Sequence, residues 1–110
     1  MNDSILNSIK KLLGIGEDYK HFDPDIIIHI NSILNILSQL GCSKVEGYSI
    51  SDETSTWAEI IDEGDDLEVI RSYVYLRVRM IFDPPTGSVA ETFKETIKEL
   101  EWRIMVKEDE

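Results

Sequence analysis

Apolar residues recur every three to four positions along most of this chain, which is the spacing of amphipathic helices. The first such segment runs from about Ser4 to Leu13. Asp3 or Ser4 stands where it can cap the start of this helix, and Gly14 can end it in the left-handed conformation that glycine tolerates. The pattern therefore predicts a short first helix with one apolar face.

A longer apolar stripe between Asp23 and Gly41 is the clearest helix signal in the chain. Asp23 is predicted to cap this helix, and Pro24 takes the first turn, where its missing N–H costs nothing. The stripe consists of Ile26, Ile27, Ile30, Ile33, Leu34, Leu37 and Leu40. Ile28 and Ile36 lie off the stripe, which leaves open a second partner surface or a wide core face.

Residues 42 to 54 form an irregular segment in which Val45, Tyr48 and Ile50 stand among polar residues. The segment is too short for periodicity to separate a loop from a short hairpin. Thr56 and Glu59 then have the spacing of a capping box, in which the two side chains satisfy free N–H groups at a helix start. A short helix is therefore predicted to run from there through Ile61.

Residues 65 to 82 carry two competing patterns. Alternation between apolar residues and residues such as Tyr75 and Arg77 has the two-residue period of a strand, whereas two separate apolar stripes also fit helical spacing. The absence of Gly and Pro over this length favours a helix, and Pro84 then stops it because the residue before proline avoids the α region. We expect Leu67 to Phe82 to form a central helix that is buried on most sides.

Ser88 and Glu91 repeat the capping-box spacing and predict the start of a last helix. Its apolar face consists of Phe93, Ile97, Leu100 and Ile104. Residues 107 to 110 are expected to be an acidic, disordered tail. The predicted fold is thus a single all-α domain over residues 1 to 106, a bundle of four main helices plus one short helix.

Composition limits the possible functions. The 110 residues include 22 acids and 11 bases, a formal net charge of −11. This balance argues against a surface that grips DNA, because affinity for phosphate comes from clustered Lys and Arg. It fits simple solubility, and it also fits a channel wall that repels DNA. The single cysteine excludes an internal disulfide, and we expect neither a signal peptide nor a membrane-spanning segment.

Two clusters resemble metal sites, although their spacing argues against one. Asp25 and His29 share a helix face, with His21 and Asp23 nearby, but zinc sites use three or four protein ligands and Asp23 is expected to act as a cap. The acids Asp62, Glu63, Asp65 and Asp66 surround Gly64 without the spacing of a calcium loop. Cys42 has no pattern of His and Asn or Asp to make it a nucleophile. We therefore expect no metal, no cofactor and no catalytic residue.

The sequence points to contacts with protein partners rather than to catalysis or metal binding. The arginines Arg71, Arg77 and Arg79 of the central helix have two interpretations: stems buried with heads in water, or pairing with acids of a neighbouring subunit. Trp102 points partly away from the apolar face of the last helix, so that a core role and a binding role both stay open. The predicted interface residues are Tyr48, Ile50, Arg77, Arg79, Trp102, Arg103 and Met105.

Several segments, taken in order, resemble the head–tail connector proteins of tailed bacteriophages. KKLLGI, HFDPDIIIHINSIL and LSQLG are similar to the opening helices of that family, and Trp57 to its mid-chain helix start. YVYLRVRMIFDPPTGS resembles its central helix with the proline break, and KELEWRI resembles its closing helix. The resemblance covers most of the chain and is weakest between Cys42 and Glu53.

The resemblance implies a small helical assembly protein rather than an enzyme. Family members form a ring, twelvefold in the virion, beneath the portal protein of a DNA-filled head. The ring extends the channel through which DNA passes without specific binding, and it presents a surface to the next tail-proximal adaptor or stopper protein. The implied location is the head–tail junction of the virion, after synthesis in the bacterial host cytoplasm.

Two other classes of function compete with this interpretation. A small acidic regulatory or DNA-mimic protein would bind a basic host protein, and its acids would form one continuous face. Here the acids are scattered over helix exteriors and turns. An enzyme is the weakest alternative, because the sequence has no pattern for a nucleophile, a metal site or a phosphate-binding loop.

Overall fold

The computed structural model describes residues 2–108, which form four α-helices joined by loops and two 3₁₀ turns. The α-helices are α1 (Ile5–Leu12), α2 (Asp23–Gln39), α3 (Leu67–Phe82) and α4 (Gly87–Glu108), and the turns are Ser43–Val45 and Trp57–Glu59. Within this part of the chain the only β-type pairing is an isolated antiparallel bridge between Ser4 and Thr56. The predicted all-α fold is confirmed. Residues 42–54 form a loop with one 3₁₀ turn, not a hairpin.

Helix α3 is the centre of the fold, and its bounds are the predicted ones. Asp66 caps it by accepting hydrogen bonds from the backbone N–H groups of Glu68 and Val69, at 3.0 and 3.4 Å. The helix packs against α2 and α4 and also contacts α1. Its buried residues are Ile70, Tyr73, Val74, Leu76 and Val78. Residues of both apolar stripes are thus buried, and the two-residue alternation does not reflect a strand.

Helix α2 packs its apolar stripe against the rest of the core and contacts α3. Its predicted stripe is largely confirmed, with Ile26, Ile30, Ile33, Leu34 and Leu37 buried. The rings of Phe22 and Phe82 meet edge to face with their centroids 5.2 Å apart. The start of α2 therefore lies beside the end of α3, so that the two helices run antiparallel.

The connection between α1 and α2 is organised by one buried cation. The Lys10 side chain is fully buried, and its Nζ donates hydrogen bonds to the backbone carbonyls of Glu17 and Tyr19, at 3.1 and 2.8 Å. Asp23 Oδ1 lies 2.9 Å from the same nitrogen. That contact is an ion pair by distance, although its angles are not those of a directed hydrogen bond and Oδ1 has no other partner.

This ion pair corrects the prediction that Asp23 caps α2. The helix begins at Asp23 itself, and Phe22 occupies the cap position without a capping hydrogen bond from its side chain. The Asp23 carboxylate is drawn to the buried ammonium of Lys10, because a buried charge needs a partner more than a helix end needs a cap. Ser4, in contrast, caps α1 as predicted, with its Oγ accepting from the N–H of Asn7 at 3.1 Å. Gly14 follows α1 with a positive φ of 81°.

Trp57 fastens the middle of the chain to α1. Its side chain is fully buried, and its indole N–H donates to Ser8 Oγ at 3.1 Å. The backbone N–H of Ile5 donates to the Ser55 carbonyl, and the N–H of Trp57 donates to the Asp3 carbonyl, at 2.9 and 3.2 Å. The predicted capping box of Thr56 and Glu59 is present, and the Glu59 carboxylate accepts from the Thr56 N–H at 2.9 Å. The predicted short helix is thus reduced to one 3₁₀ turn.

Helix α4 differs from its prediction at both ends. It begins at Gly87, so Ser88 and Glu91 lie inside the first turns and not at a cap. Lys107 and Glu108 are helical rather than part of an acidic tail, and residues 109 and 110 lie outside the described residues. The last turn packs closely on the loop after α2: a Cβ added to Gly41 would lie 2.8 Å from Cβ of Glu108. No helix in residues 2–108 has the length and apolarity needed to cross a membrane.

We expect Ile30→Asp to unfold the protein. Ile30 is fully buried in the middle of the α2 stripe, and an unpaired buried charge costs several kcal/mol against a typical stability of about 5–15 kcal/mol. Circular dichroism and thermal melting measure the effect. Ile28→Asp is the matched control, since Ile28 lies on the same helix and is 62% exposed. An unchanged melting temperature for Ile30→Asp would refute the core assignment.

We expect Lys10→Met to lower the free energy of unfolding by about 3–5 kcal/mol, the usual effect of breaking a buried ion pair. Met fills similar space but leaves the Asp23 carboxylate and two backbone carbonyls without their donor. Urea denaturation measures the loss. Lys11→Met, at an exposed neighbouring position on α1, is expected to change stability by less than about 0.5 kcal/mol. Equal effects of the two variants would show that the buried cation is dispensable.

Candidate partner-binding surface

The last turns of α4 present an apolar patch to solvent. Trp102, Met105 and Val106 are 65%, 48% and 40% exposed, and their spacing of three and four residues places them on one helix face. We call these three residues the α4 patch. The opposite face of the same turns carries Leu100 and Ile104, which are buried in the core. The core face therefore anchors the helix, while the residues of the α4 patch are largely open to solvent.

Arg103 lies beside the α4 patch and is also exposed. Its guanidinium donates to Glu99 Oε1 at 2.9 Å, one helical turn earlier. An exposed pair of this kind contributes little to stability, so Arg103 exchanges this partner for another at little cost. The predicted residues Trp102, Arg103 and Met105 thus form one accessible surface together with Val106, which the sequence prediction missed. The residue types typical of interfaces are aromatic, Arg and Met, so residue type alone does not identify Val106, whereas its position one turn after Trp102 does.

Arg77 makes its contacts within its own chain. Tyr73 donates its hydroxyl hydrogen to Glu101 Oε2 at 2.7 Å, and Arg77 Nη1 lies 3.5 Å from the same oxygen. The guanidinium also lies 5.8 Å from the centroid of the Tyr73 ring. Burial, followed by the hydrogen bond to Glu101, raises the pKa of Tyr73. This network links α3 to α4 and holds the helix that carries the α4 patch.

Arg79 is likewise used internally. It donates to the Tyr75 hydroxyl at 3.0 Å and to the Asp83 carbonyl at 3.1 Å, and its guanidinium lies 5.4 Å from the centroid of the Phe93 ring. Arg71 pairs with Glu68 on the exposed side of α3. The three arginines therefore have partners in their own chain, and they fix the α3–α4 turn and the α3 surface.

The loop residues Tyr48 and Ile50 do not form the exposed apolar surface that we expected. Ile50 is only 3% exposed. The Asn31 side chain accepts from the Ile50 N–H at 2.8 Å and donates to the Ile50 carbonyl at 3.0 Å. Tyr48 is half-buried and donates its hydroxyl hydrogen to Glu59 Oε1 at 3.1 Å. An irregular loop is thus folded onto α2 by one amide side chain, and Ile50 belongs to the core.

Several of the residues suspected of metal binding have other contacts. Asp23 pairs with Lys10, and the His21 ring packs against Phe22 with centroids 4.9 Å apart. Asp65 accepts from the N–H of Asp62 at 2.9 Å, and Asp66 caps α3. Among residues 2–108, no three His, Cys, Asp or Glu side chains are grouped so that they can hold a metal ion.

Cys42 lies in an acidic environment between the end of α2 and the end of α4. Its Sγ is 3.9 Å from Glu108 Oε1. Burial, followed by the charges of Glu108, Asp65 and Asp62, raises the pKa of Cys42 to about 12. Burial and the adjacent Asp65 carboxyl also raise the pKa of Glu108. Because the thiolate is the reactive form of cysteine, a thiol with this pKa stays protonated and inert near neutral pH.

Comparison with known proteins identifies one family that this chain matches. No curated protein and no solved structure matches the sequence significantly. The model of one protein family, described as phage connector protein, matches residues 5–110. That match includes all four α-helices, the proline break after α3 and the helix that carries the α4 patch. The chain therefore belongs to the phage connector protein family.

Proposed function

We propose that this chain forms a ring adaptor between the portal of the DNA-filled head and the tail of a bacteriophage. Membership of the phage connector family supports a structural or assembly role in a phage virion, and proteins of this family are generally not enzymes. Within that role, the α4 patch is the observation that carries the proposal. Its three apolar side chains are held in water by a helix whose other face is firmly buried.

The α4 patch has the composition of a binding hot spot. Tryptophan, methionine and arginine are the residue types enriched at protein interfaces, and three of them adjoin here as Trp102, Met105 and Arg103. The supporting helix is fixed to α3 by the contacts of Tyr73 and Arg77 with Glu101. A rigid helix loses little conformational entropy on binding, so a partner gains most of the contact energy. In our proposal this patch docks the chain onto portal-bearing heads.

The charge of the chain fits a part of the channel through which DNA passes. A net charge of −11 per copy gives a ring with a strongly negative field, which repels phosphates and prevents DNA from adhering. In the proposed assembly the ring is twelvefold in the virion, and the tail-proximal adaptor or stopper protein binds its other side. The chain is made in the host cytoplasm and adds to filled heads.

The acids of α4 support this interpretation over a DNA mimic. Glu91, Glu95 and Glu99 are each followed by a base three or four residues later, namely Lys94, Lys98 and Arg103, at 3.6, 3.8 and 2.9 Å. Alternating charge on a helix face is typical of a solvated surface, whereas a mimic of DNA needs an unbroken acidic face.

Replacing Trp102 and Arg103 together by Ala is expected to leave the fold intact and to block tail attachment. Both side chains are exposed, so their loss removes docking contacts and not core packing. The experiment complements a phage that lacks this chain with the variant, and electron microscopy then counts filled heads without tails. Circular dichroism of the purified variant reports the fold. We expect tailless heads to dominate, at least about tenfold over wild type, because a central hot spot costs 2 kcal/mol or more.

The matched control is the double variant Val89→Ala with Lys94→Ala, which removes an exposed apolar and an exposed basic side chain at the other end of α4. It is expected to join tails normally. Normal tail joining by the folded Trp102 and Arg103 variant would exclude the α4 patch as the docking element. Absence of the wild-type chain from purified virions would overturn the adaptor role itself.

A further inference from the structure

Helix α2 beyond its first turn, and the residues that follow it, lack charge to an unusual degree. Residues 26 to 43 contain no Asp, Glu, Lys or Arg, in a chain in which 30% of residues are charged. The next longest stretch without these residues runs only from 84 to 90. A core helix explains the buried side of α2, but it does not explain why the exposed side is also uncharged beyond Asp25 of the first turn.

The exposed side of α2 forms one continuous strip. Ile28, Ser32, Asn35 and Gln39 are all exposed, and their spacing of four, three and four residues aligns them on one helix face. We call these four residues the neutral face. Ile28 is 62% exposed, nearly as much as Trp102. The face therefore combines a large aliphatic side chain with small and amide side chains over three helical turns.

The hydroxyl groups on and beside this face need no solvent. Ser32 Oγ donates to the Ile28 carbonyl at 3.1 Å, and Ser38 Oγ donates to the Asn35 carbonyl at 2.6 Å. Covering a hydroxyl that is already bonded costs much less than covering one that relies on water. The amides of Asn35 and Gln39 remain available for hydrogen bonds across a contact. The neutral face is thus inexpensive to remove from water.

The other exposed helix surfaces lack this property. The exposed side of α4 carries Glu91, Lys94, Glu95 and Lys98, and the exposed side of α3 carries Glu68 with Arg71. Covering such a surface desolvates charges, and two acidic surfaces brought together repel each other. The exposed end of α1 carries Lys11. Beyond the exposed Asp25 of its first turn, α2 alone among the helices of the described chain offers an exposed face that avoids both costs.

We propose that the neutral face is the contact between neighbouring copies of this chain, an assignment that rests on the proposed ring function. The negative charge of the chain indicates which partner binds the neutral face. A basic partner is attracted to the acidic surfaces elsewhere, and DNA needs cations that this face lacks. A second copy carries the same net charge of −11, so repulsion between two copies is least where at least one of the two contacting surfaces lacks carboxylates. Interface cores are depleted in charged residues for the same reason.

Nuclear magnetic resonance of the whole purified chain tests this assignment. Amide spectra of the ¹⁵N-labelled protein are recorded from micromolar to millimolar concentration, at low and at high sodium chloride. Concentration-dependent shifts are expected at Ile28, Ser32, Asn35 and Gln39. A second shifting patch elsewhere is expected as well, because a ring contact joins two different surfaces. High salt should strengthen the association, since it screens the repulsion between acidic copies.

Ser32→Glu places a carboxylate in the middle of the neutral face and is expected to weaken the association at least about tenfold, as like charges at a contact do. Thr92→Glu is the control, because it adds the same charge at an exposed position on α4. Its association should stay within about twofold of wild type. Shifts that include the neutral face and disappear in Ser32→Glu support the proposal.

The absence of concentration-dependent shifts, shifts confined to other surfaces, or equal weakening by both variants would overturn the proposal. These outcomes leave the adaptor role untouched, because tail joining measures that role separately. Absence of the wild-type chain from purified virions, together with intact self-association through the neutral face, would instead count against the adaptor role alone.

Discussion

The buried ammonium of Lys10 is the interaction on which the arrangement of the helices depends. It bonds two carbonyls of the α1–α2 connection and pairs with the first residue of α2. Burying an unpaired charge costs several kcal/mol of stability, so the Lys10 ammonium is buried only when its two carbonyl acceptors and the Asp23 carboxylate are in place. One side chain thereby fixes where the connection turns and where α2 begins. Phe22 is then placed against Phe82, which aligns α2 with the end of α3.

From that alignment the remaining contacts follow in sequence. Helix α3 receives α2 on one side and α4 on another, so its two apolar stripes are both used. Tyr73 and Arg77 meet Glu101 across the α3–α4 contact and set the rotation of α4 about its axis. That rotation turns Leu100 and Ile104 inward and leaves Trp102 in water. The exposed patch is thus a consequence of core packing and not an independent feature.

Sequence reasoning succeeded where a single physical signal dominated a long segment. The bounds of α3 followed from its length without Gly or Pro and from the proline that ends it, and the core stripe of α2 followed from helical periodicity. The prediction that Asp23 caps α2 was wrong, because the charge of Lys10 on α1 pairs with its carboxylate. The prediction that the loop exposes Ile50 was also wrong, because Asn31, far away in sequence, forms hydrogen bonds with the backbone of Ile50. Contacts between distant residues leave no periodic trace in the chain.

The candidate surface was predictable only where helical periodicity defined it. Trp102 stood off the apolar stripe of its helix, and the structure places it in solvent. Arg77 and Arg79 were identified by residue type alone, and type cannot tell an internal partner from an external one. The uncharged exterior of α2 was visible in the composition of residues 26 to 43, but its meaning required knowing which of those residues face outward.

The contrast between the two tryptophans makes them separate optical reporters. Trp57 is fully buried in the core, and its indole N–H donates a hydrogen bond to Ser8. Trp102 is exposed to water near the end of α4. Indole emission moves to longer wavelength as the ring becomes hydrated, so the native spectrum is the sum of a blue and a red component. Loss of the blue component marks separation of the Thr56 segment from α1, and a blue shift of the red component marks covering of α4. The unmodified chain therefore distinguishes unfolding from docking by colour alone.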